Sequence, residues 1–498
     1  MPSTPKAENA EKAQRLYEKL KEIRTSTTVS LKPTPLLKET VRGIDGVERP
    51  FQLRYYQVQG IYHMLVVPRM ILGDDTGLGK TVETIATFCY LWQKEPNNKV
   101  IVIAPKSAIR QWASEIKRFT NGVRPIIAGD DPRKGESPVE ARERSYKEWL
   151  DAPVDEKVVL IMNYAVLVRD WNHGGFQPPK KNGKLKKEAV IPGLLDGITA
   201  KVGHENLCVV FDEATAFKSD NTKTWEAVRF LADRSRRAYG LTATLLKNHL
   251  FEGYCIYKAI KPGVFTTKKA FYEAYCYVEM RRAGTAKIPI IKGYKNLGDF
   301  RAAIDPVFLG RKKHMVAKEL PELITREISF DLSGAEEKKY QESLNGILEL
   351  GDGEVKDFEE HKALTSLIYC QMVVNSLSML KFAEGDEVAA GYAWDESTHK
   401  VGTLSSKEQA FIDLVTGELD GEKIIVYTRF ASLVPRLQAL LQREGVKSVA
   451  VTGAVSDKKR KAAQDAFQDL ESDTTVIFIT AAGSEAINLQ VAKAMIFF

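Results

Sequence analysis

Two short stretches of this chain carry residue types and spacings suited to phosphate chemistry. The first is Asp74-Asp75-Thr76-Gly77-Leu78-Gly79-Lys80-Thr81. It follows the apolar run Met70-Ile71-Leu72 and opens a run with helical spacing at Val82, Ile85, Ala86 and Cys89. A strand, a glycine loop and a helix in that order can hold nucleotide phosphates. The glycines let backbone N–H groups approach the phosphate oxygens, and the helix N-terminus adds positive dipole. Lys80 supplies charge to the β- and γ-phosphates, and Thr81 offers a hydroxyl to Mg²⁺. The strict pattern has glycine where this chain has Asp74, so the match is partial. A plain glycine turn between a buried strand and a helix would share much of it.

The second stretch decides between those readings. Leu207-Cys208-Val209-Val210-Phe211 is a continuous apolar run, as expected of a parallel strand buried on both faces. Asp212-Glu213-Ala214-Thr215 follows at its C-terminal end, where open α/β sheets place their chemistry. Asp212 would hold Mg²⁺, and Glu213 would act as general base on the attacking water. An Asp-Glu pair after a strand is on its own more often a solvated helix start. At a domain-sized distance from a glycine loop, it points to a nucleotide site.

The elements that must position these residues are legible as alternation. From about Phe51 to residue 260, strand-like runs (Met70–Leu72, Val100–Ala104, Val158–Met162, Leu207–Phe211) alternate with helical ones, which predicts a doubly wound parallel sheet. Residues 261–405 read as helical, charged and less regular, with basic stretches at Arg281–Lys295 and Arg311-Lys312-Lys313. After Ser405 the alternation resumes, with a helix at Ala410–Leu419 and strands at Lys423–Tyr427 and Thr475–Ile479. The expected organisation is an extension over 1–50, a first α/β lobe over 51–260, an inter-lobe region over 261–405 and a second lobe over 406–498. An amphipathic helix around Ala10–Ile23, with Leu16, Leu20 and Ile23 on one face, either packs on the body or forms a loose tail. The basic loop Pro178–Lys187 is equally a solvated insertion or a phosphate-backbone contact.

Bulk properties suit a large enzyme. At 498 residues the chain exceeds one ordinary core, and 44% hydrophobic content is globular. A net charge of +7 permits nucleic-acid binding without proving it. The five cysteines are scattered and lack metal-ligand spacing, so they read as small core hydrophobes in a reducing compartment. The seven histidines form no cluster, which argues against zinc. No signal peptide and no run of membrane-spanning length is present, and the expected location is the cytoplasm, or the nucleus in a eukaryote.

In order, these motifs resemble helicase superfamily 2, and specifically the Snf2-type DNA translocases. The similarity runs from about residue 51 to the C-terminus. Leu53–Gly60 is similar to the adenine-reading segment, which implies that Gln57 meets the base. Asp74–Thr81 resembles motif I. Ile103-Ala104-Pro105, with Lys106, Trp112 and Glu115, resembles motif Ia, and Asn163-Tyr164 resembles motif Ib; both face the nucleic-acid backbone in the family. Asp212–Thr215 resembles motif II with Thr215 in place of histidine. Leu241–Asn248 is similar to motif III, with Ala243 and Leu245 as departures, which implies that Thr242 and Thr244 couple nucleotide state to DNA grip. The segment Gly293–Leu297, Arg311–His314 and Glu319–Pro321 resembles the annealing, fork-remodelling branch. In the second lobe, Val426–Phe430 resembles motif IV, with Thr428 and Arg429 carried over. Thr452-Gly453 with Arg460 resembles the segment after it. Thr480–Leu489 resembles motif V, with Ser484, Glu485 and Ala486 as departures and Thr480 and Asn488 carried over.

The resemblance implies two RecA-like lobes of α/β class, a helical inter-lobe insertion, and ATP with Mg²⁺ as cofactors. It also implies a monomeric DNA-dependent ATPase that moves on or remodels double-stranded or branched DNA, held mainly through phosphates. An RNA-directed or strand-separating helicase and a nucleotide-gated DNA-binding module with little turnover remain open alternatives. The final apolar run, Met495–Phe498, precedes the arginine-bearing motif VI of the family. The expectation is therefore a truncated second lobe that leaves these residues binding ATP but hydrolysing it poorly.

Overall fold

The computed structural model describes residues 5–43, 46–171, 193–283, 286–318, 323–345, 362–380, 394–395, 400–453, 455–481 and 489–498. The basic loop Pro178–Lys187, Glu319–Pro321 and the motif V residues Ser484–Asn488 lie outside the described residues. The chain divides into two compact units: Met1–Gly43 with Glu48–Pro321, and Ile44–Val47 with Glu322–Phe498.

The first unit is built on a seven-stranded sheet. In chain order the strands of this unit are β1 (Thr40–Arg42), β2 (Glu48–Pro50), β3 (Arg69–Leu72), β4 (Lys99–Ala104), β5 (Arg124–Ile127), β6 (Val158–Asn163), β7 (Leu207–Phe211), β8 (Arg237–Leu241), β9 (Cys276–Ala283), β10 (Ala286–Tyr294) and β11 (Phe308–Leu309). The sheet order is β11-β3-β8-β7-β4-β6-β5, with every pairing parallel. Each side chain of β7 is 0% exposed, which explains its unbroken apolar run. Burying one such Val or Phe stabilises the fold by roughly 1.5–3 kcal/mol. The glycine loop and the Asp-Glu pair both leave C-terminal strand ends, of β3 and β7, with β8 between them.

The second unit carries a four-stranded parallel sheet in the order β15-β16-β14-β17. Its strands are the short pair β12 (Trp394–Asp395) and β13 (Lys400–Val401), then β14 (Ile424–Tyr427), β15 (Lys447–Val451), β16 (Thr474–Ile479) and β17 (Ala494–Phe497). The α/β class and the two doubly wound parallel sheets expected from the alternation are both present. Among the described residues, no helix is long and apolar enough to cross a membrane. All five cysteines are free and buried.

Two features differ from the sequence reading. Order begins well before Phe51. Helix α1 (Pro5–Thr25) buries Leu20 and Ile23, while Leu16 stays exposed. Arg24 anchors it: the guanidinium donates to Asp305 Oδ1 at 2.8 Å and to His63 Nε2 at 3.0 Å. An amphipathic pattern alone cannot distinguish docking from fraying; the long-range partners Asp305 and His63 decide it. The second feature is the antiparallel hairpin β9–β10, within a stretch read as helical. Helices Lys268–Tyr275, Leu297–Ile304 and Lys362–Asn375 do occupy that stretch. The hairpin falls where β-branched Val278, Ile288, Ile290 and Ile291 concentrate.

Candidate nucleotide site

Helix α2 (Tyr55–Val66) carries Gln57, and helix α3 (Lys80–Lys94) starts at Gly79, whose φ is +91°; Gly77 has φ +85°. Both values are easily adopted only without a Cβ. Gly79 has a second reason: an added methyl would stand 2.5 Å from Gln57 Nε2. Lys80 Nζ donates to the Asp74 carbonyl at 2.7 Å. Burial lowers the Lys80 pKa, opposed by the charges of Asp74, Glu213, Asp212 and Glu83. The lysine and the Asp-Glu pair, more than a hundred positions apart in sequence, therefore share one electrostatic environment.

At the end of β7, Asp212 is held on both oxygens. Trp112 Nε1, from helix α4 (Ile109–Phe119), donates to Oδ2 at 2.7 Å, and the Glu213 N–H donates to Oδ1 at 3.0 Å. Burial pushes the Asp212 carboxyl up, while these two donors and Lys80 pull it down. Glu213 itself is exposed and sits at φ +50°, an uncommon conformation for a residue with a Cβ. It turns the chain sharply from β7 into the helical turn Ala214–Phe217. A strained acid at a strand end, beside a half-buried acid and lysine, is where function is expected to hold strain.

The other expected site residues divide by neighbourhood. Gln57 is buried against the glycine loop: its amide donates to the Leu78 carbonyl at 3.1 Å and its oxygen accepts from the Arg54 N–H at 3.0 Å. Pro105 and Lys106 leave β4 beside Asn163, since Ala104 pairs with Asn163 in the sheet. Asn163 Oδ1 accepts from the Val166 N–H at 2.8 Å and so caps the helix Tyr164–Trp171. The Tyr164 hydroxyl donates to the Asp212 carbonyl at 2.6 Å, and burial raises its pKa well above the ordinary tyrosine value. Thr242 and Thr244 bond each other: Thr242 Oγ1 donates to the Thr244 carbonyl at 3.0 Å and accepts its N–H at 3.1 Å. In the second unit, Thr428 and Thr480 follow the paired strand ends Tyr427 and Ile479. Arg429 is exposed and donates to Gln371 at 3.2 Å. The buried Thr480 hydroxyl has no partner among the described residues.

Three participants were not recognised from the sequence as parts of this site. Trp112 was noted only as part of a motif, yet it orients Asp212. Lys218, just past the Asp-Glu pair, bridges to Glu252 at 2.8 Å, and Glu252 Oε2 accepts the N–H groups of Lys247 and Asn248. That links the turn after β7 to the turn after β8. The third is Arg311, buried between Asp74 and Glu83. Its membership of a basic run was the one available signal. That Asp74 stands in a glycine's place hinted at a partner without naming it.

A glycine loop with left-handed glycines, facing a held aspartate and an exposed glutamate across a doubly wound sheet, defines a phosphate-loop α/β protein. Residues 56–379 match the SNF2-related domain, and residues 406–498 match the helicase conserved C-terminal domain. The chain belongs to the SNF2-related family. It is 23% identical over 452 residues to an uncharacterized ATP-dependent helicase of Mycoplasma pneumoniae, covering 90% of this chain and 37% of the relative. It is 23% identical over 455 residues to the ISWI chromatin-remodeling complex ATPase ISW2 of Saccharomyces cerevisiae, covering 90% and 36%. The chain thus spans little more than a third of the length of these relatives. Among solved structures, the Sulfolobus solfataricus SWI2/SNF2 ATPase core in complex with dsDNA is similar at 22% identity and a TM-score of 0.42, covering 94% of this chain and 83% of that one.

Proposed function

We propose that this chain is the motor part of a Snf2-type DNA translocase, coupling ATP hydrolysis to movement on double-stranded or branched DNA. The observation that carries the reading is the shared environment of Lys80, Asp212 and Glu213 on one sheet of an SNF2-related chain. The names of the relatives, an ATP-dependent helicase and a chromatin-remodeling ATPase, support the same direction.

When bound, ATP with Mg²⁺ supplies the scissile anhydride and the neutralising charge on its phosphates. The donor set fits that pair. Left-handed Gly77 and Gly79 let the loop backbone approach phosphate oxygens, and Lys80 adds charge. Thr81 and Asp212 would hold Mg²⁺; a cation that keeps several waters and phosphate oxygens needs few protein ligands. Accordingly, no group of three or more His, Cys, Asp or Glu among the described residues is arranged to hold a metal. Glu213 takes the proton of the attacking water, and Trp112 orients Asp212 and favours its charged form against the effect of burial. The Lys218–Glu252 bridge ties the turn carrying Glu213 to the one following Thr242 and Thr244, a route from nucleotide state to DNA contact. Pro105, Lys106, Asn163 and Tyr164 mark the DNA-facing side of the first unit, and Thr428, Arg429 and Thr480 that of the second. Asn488 belongs with them by motif. The working form is a monomer in the cytoplasm, or in the nucleus of a eukaryote.

The test is ATP hydrolysis without nucleic acid and with duplex DNA, single-stranded DNA or RNA. Duplex DNA should stimulate most in a longer form that carries the arginine-bearing motif, these residues alone turning over poorly, and Glu213→Gln should remove roughly 10²–10⁴-fold of that stimulated rate while ATP still binds. Stimulation by RNA alone would redirect the reading to an RNA-acting helicase. Indifference to Glu213→Gln, with ATP and DNA both bound, would point to a nucleotide-gated binding module.

A further inference from the structure

The residues Arg311-Lys312-Lys313 belong to a segment laid against the glycine loop. The Gly73 N–H donates to the Leu309 carbonyl at 2.6 Å and the Asp75 N–H to the Arg311 carbonyl at 3.0 Å. In return the Arg311 N–H donates to Asp74 Oδ1 and the Lys313 N–H to Asp75 Oδ2, both at 2.9 Å. Four backbone-anchored bonds extend the β11–β3 pairing, so the register of 309–313 against 73–75 is set.

That register assigns the three cations. Arg311 is 9% exposed at its side chain and pairs with the fully buried carboxylates of Asp74 and Glu83. The two acids hold its pKa above the ordinary value despite burial. Lys312 Nζ pairs with Asp75 at 3.0 Å. Lys313 Nζ has no carboxylate or carbonyl partner among the described residues. Its ammonium lies over the loop instead: a methyl added at Gly77 would stand 3.3 Å from Lys313 Nζ and 3.6 Å from its Cε. Asp74 and Asp75 thus engage two of the three cations and leave the third beside Gly77.

We infer that Lys313 is a second phosphate-binding lysine of the nucleotide site, contacting the outer phosphates of a nucleoside di- or triphosphate. The inference rests on the nucleotide reading of the glycine loop. Arg311, by contrast, is a positioning residue that acts through Asp74 and the backbone register. Under this scheme the segment after the first sheet reports on nucleotide directly, because its own ammonium takes part in binding.

The experiment is equilibrium titration of the full chain with ATP, ADP and AMP in Mg²⁺, for wild type, Lys313→Ala, Lys313→Arg and Lys80→Ala. Lys313→Ala should weaken ATP and ADP by about tenfold, as for loss of one exposed charge-assisted contact, and leave AMP unchanged. Lys313→Arg should return ATP affinity to within about threefold of wild type. Lys313 is exposed, and an unchanged melting temperature for Lys313→Ala separates lost binding from misfolding. Wild-type ATP affinity in Lys313→Ala, with binding lost in Lys80→Ala, would overturn the inference while sparing the nucleotide site. Absence of ATP binding in wild type would overturn both.

Discussion

Each unit packs an arginine against buried carboxylate, Arg311 in the first and Arg436 in the second, and these two arginines do different things. Arg436 in the second unit is 1% exposed; its Nε donates to Glu408 Oε1 at 2.6 Å and Nη2 to Oε2 at 2.8 Å. Glu408 also accepts the Ser405 N–H, closing a capping box at the start of helix Ser406–Thr416. That arginine pins helix Val434–Arg443 to helix Ser406–Thr416 within an α/β layer. Arg311 makes the same kind of pair with Asp74 and Glu83, but these acids flank the glycine loop, on β3's exit and in the first turn of α3. Burial raises Glu83 well above the ordinary carboxylate range, and Arg311 is the main force pulling it back. The difference teaches that buried ion pairs of similar geometry can be architectural in one lobe and part of the site's frame in its neighbour. Position against the strand ends decides which.

Removing each arginine separates the two roles. Arg436→Met leaves Glu408 buried without its cation and should destabilise the second unit by about 3–5 kcal/mol. Urea unfolding should show that transition shift, with ATP affinity within twofold of wild type. Arg311→Met should cost the first unit a similar amount and also weaken ATP binding at least tenfold. Equal ATP affinity in the two variants would break the contrast.

A pH scan sharpens it further, because His63 lies in the first unit alone. His63 Nδ1 donates to the Gln59 carbonyl at 2.9 Å and Nε2 accepts from Arg24 at 3.0 Å, so the neutral ring satisfies both. Burial lowers its pKa from 6.5 to about 4. The unfolded chain binds this proton first as pH falls, so the contribution is whole above 6.5 and is lost progressively towards 4. At about 1.4 kcal/mol per pH unit the loss approaches ~3 kcal/mol. The first unit's melting temperature should therefore fall between pH 6.5 and 4, and His63→Gln should flatten that slope. An unchanged slope would remove His63 from the account.

The smallest expected effect tests the Asp212 support. Trp112→Phe keeps the ring packing and deletes one donor to the carboxylate. The Mg²⁺ concentration for half-maximal ATP binding should rise about tenfold, at the low end for groups that orient metal ligands. The same substitution should leave second-unit stability untouched.

The local elements were legible because their signals are local. The apolar run Leu207–Phe211 is a strand with those bounds, and Met70–Leu72, Val100–Ala104 and Val158–Met162 each differ by one residue at one end. Glycine φ values and the start of α3 follow from Gly77, Gly79 and Lys80 themselves. The hairpin β9–β10 was missed because its cross-strand pairing, Val278 with Ile291 and Met280 with Pro289, is not visible along one strand. The docking of α1 was undecided for the same reason.

By itself the sequence determined the strand–loop–helix unit, the acids at the end of β7 and the parallel class of both sheets. Backbone conformation and two-sided burial are written in neighbouring residues. Only the tertiary structure decided that Trp112 holds Asp212, that Lys218 meets Glu252, and that Arg311 and Lys313 stand over a loop 237 positions or so earlier in the chain. Those contacts depend on strand order and register. A charge finds its partner across the sheet, and no local spacing encodes which acid that will be.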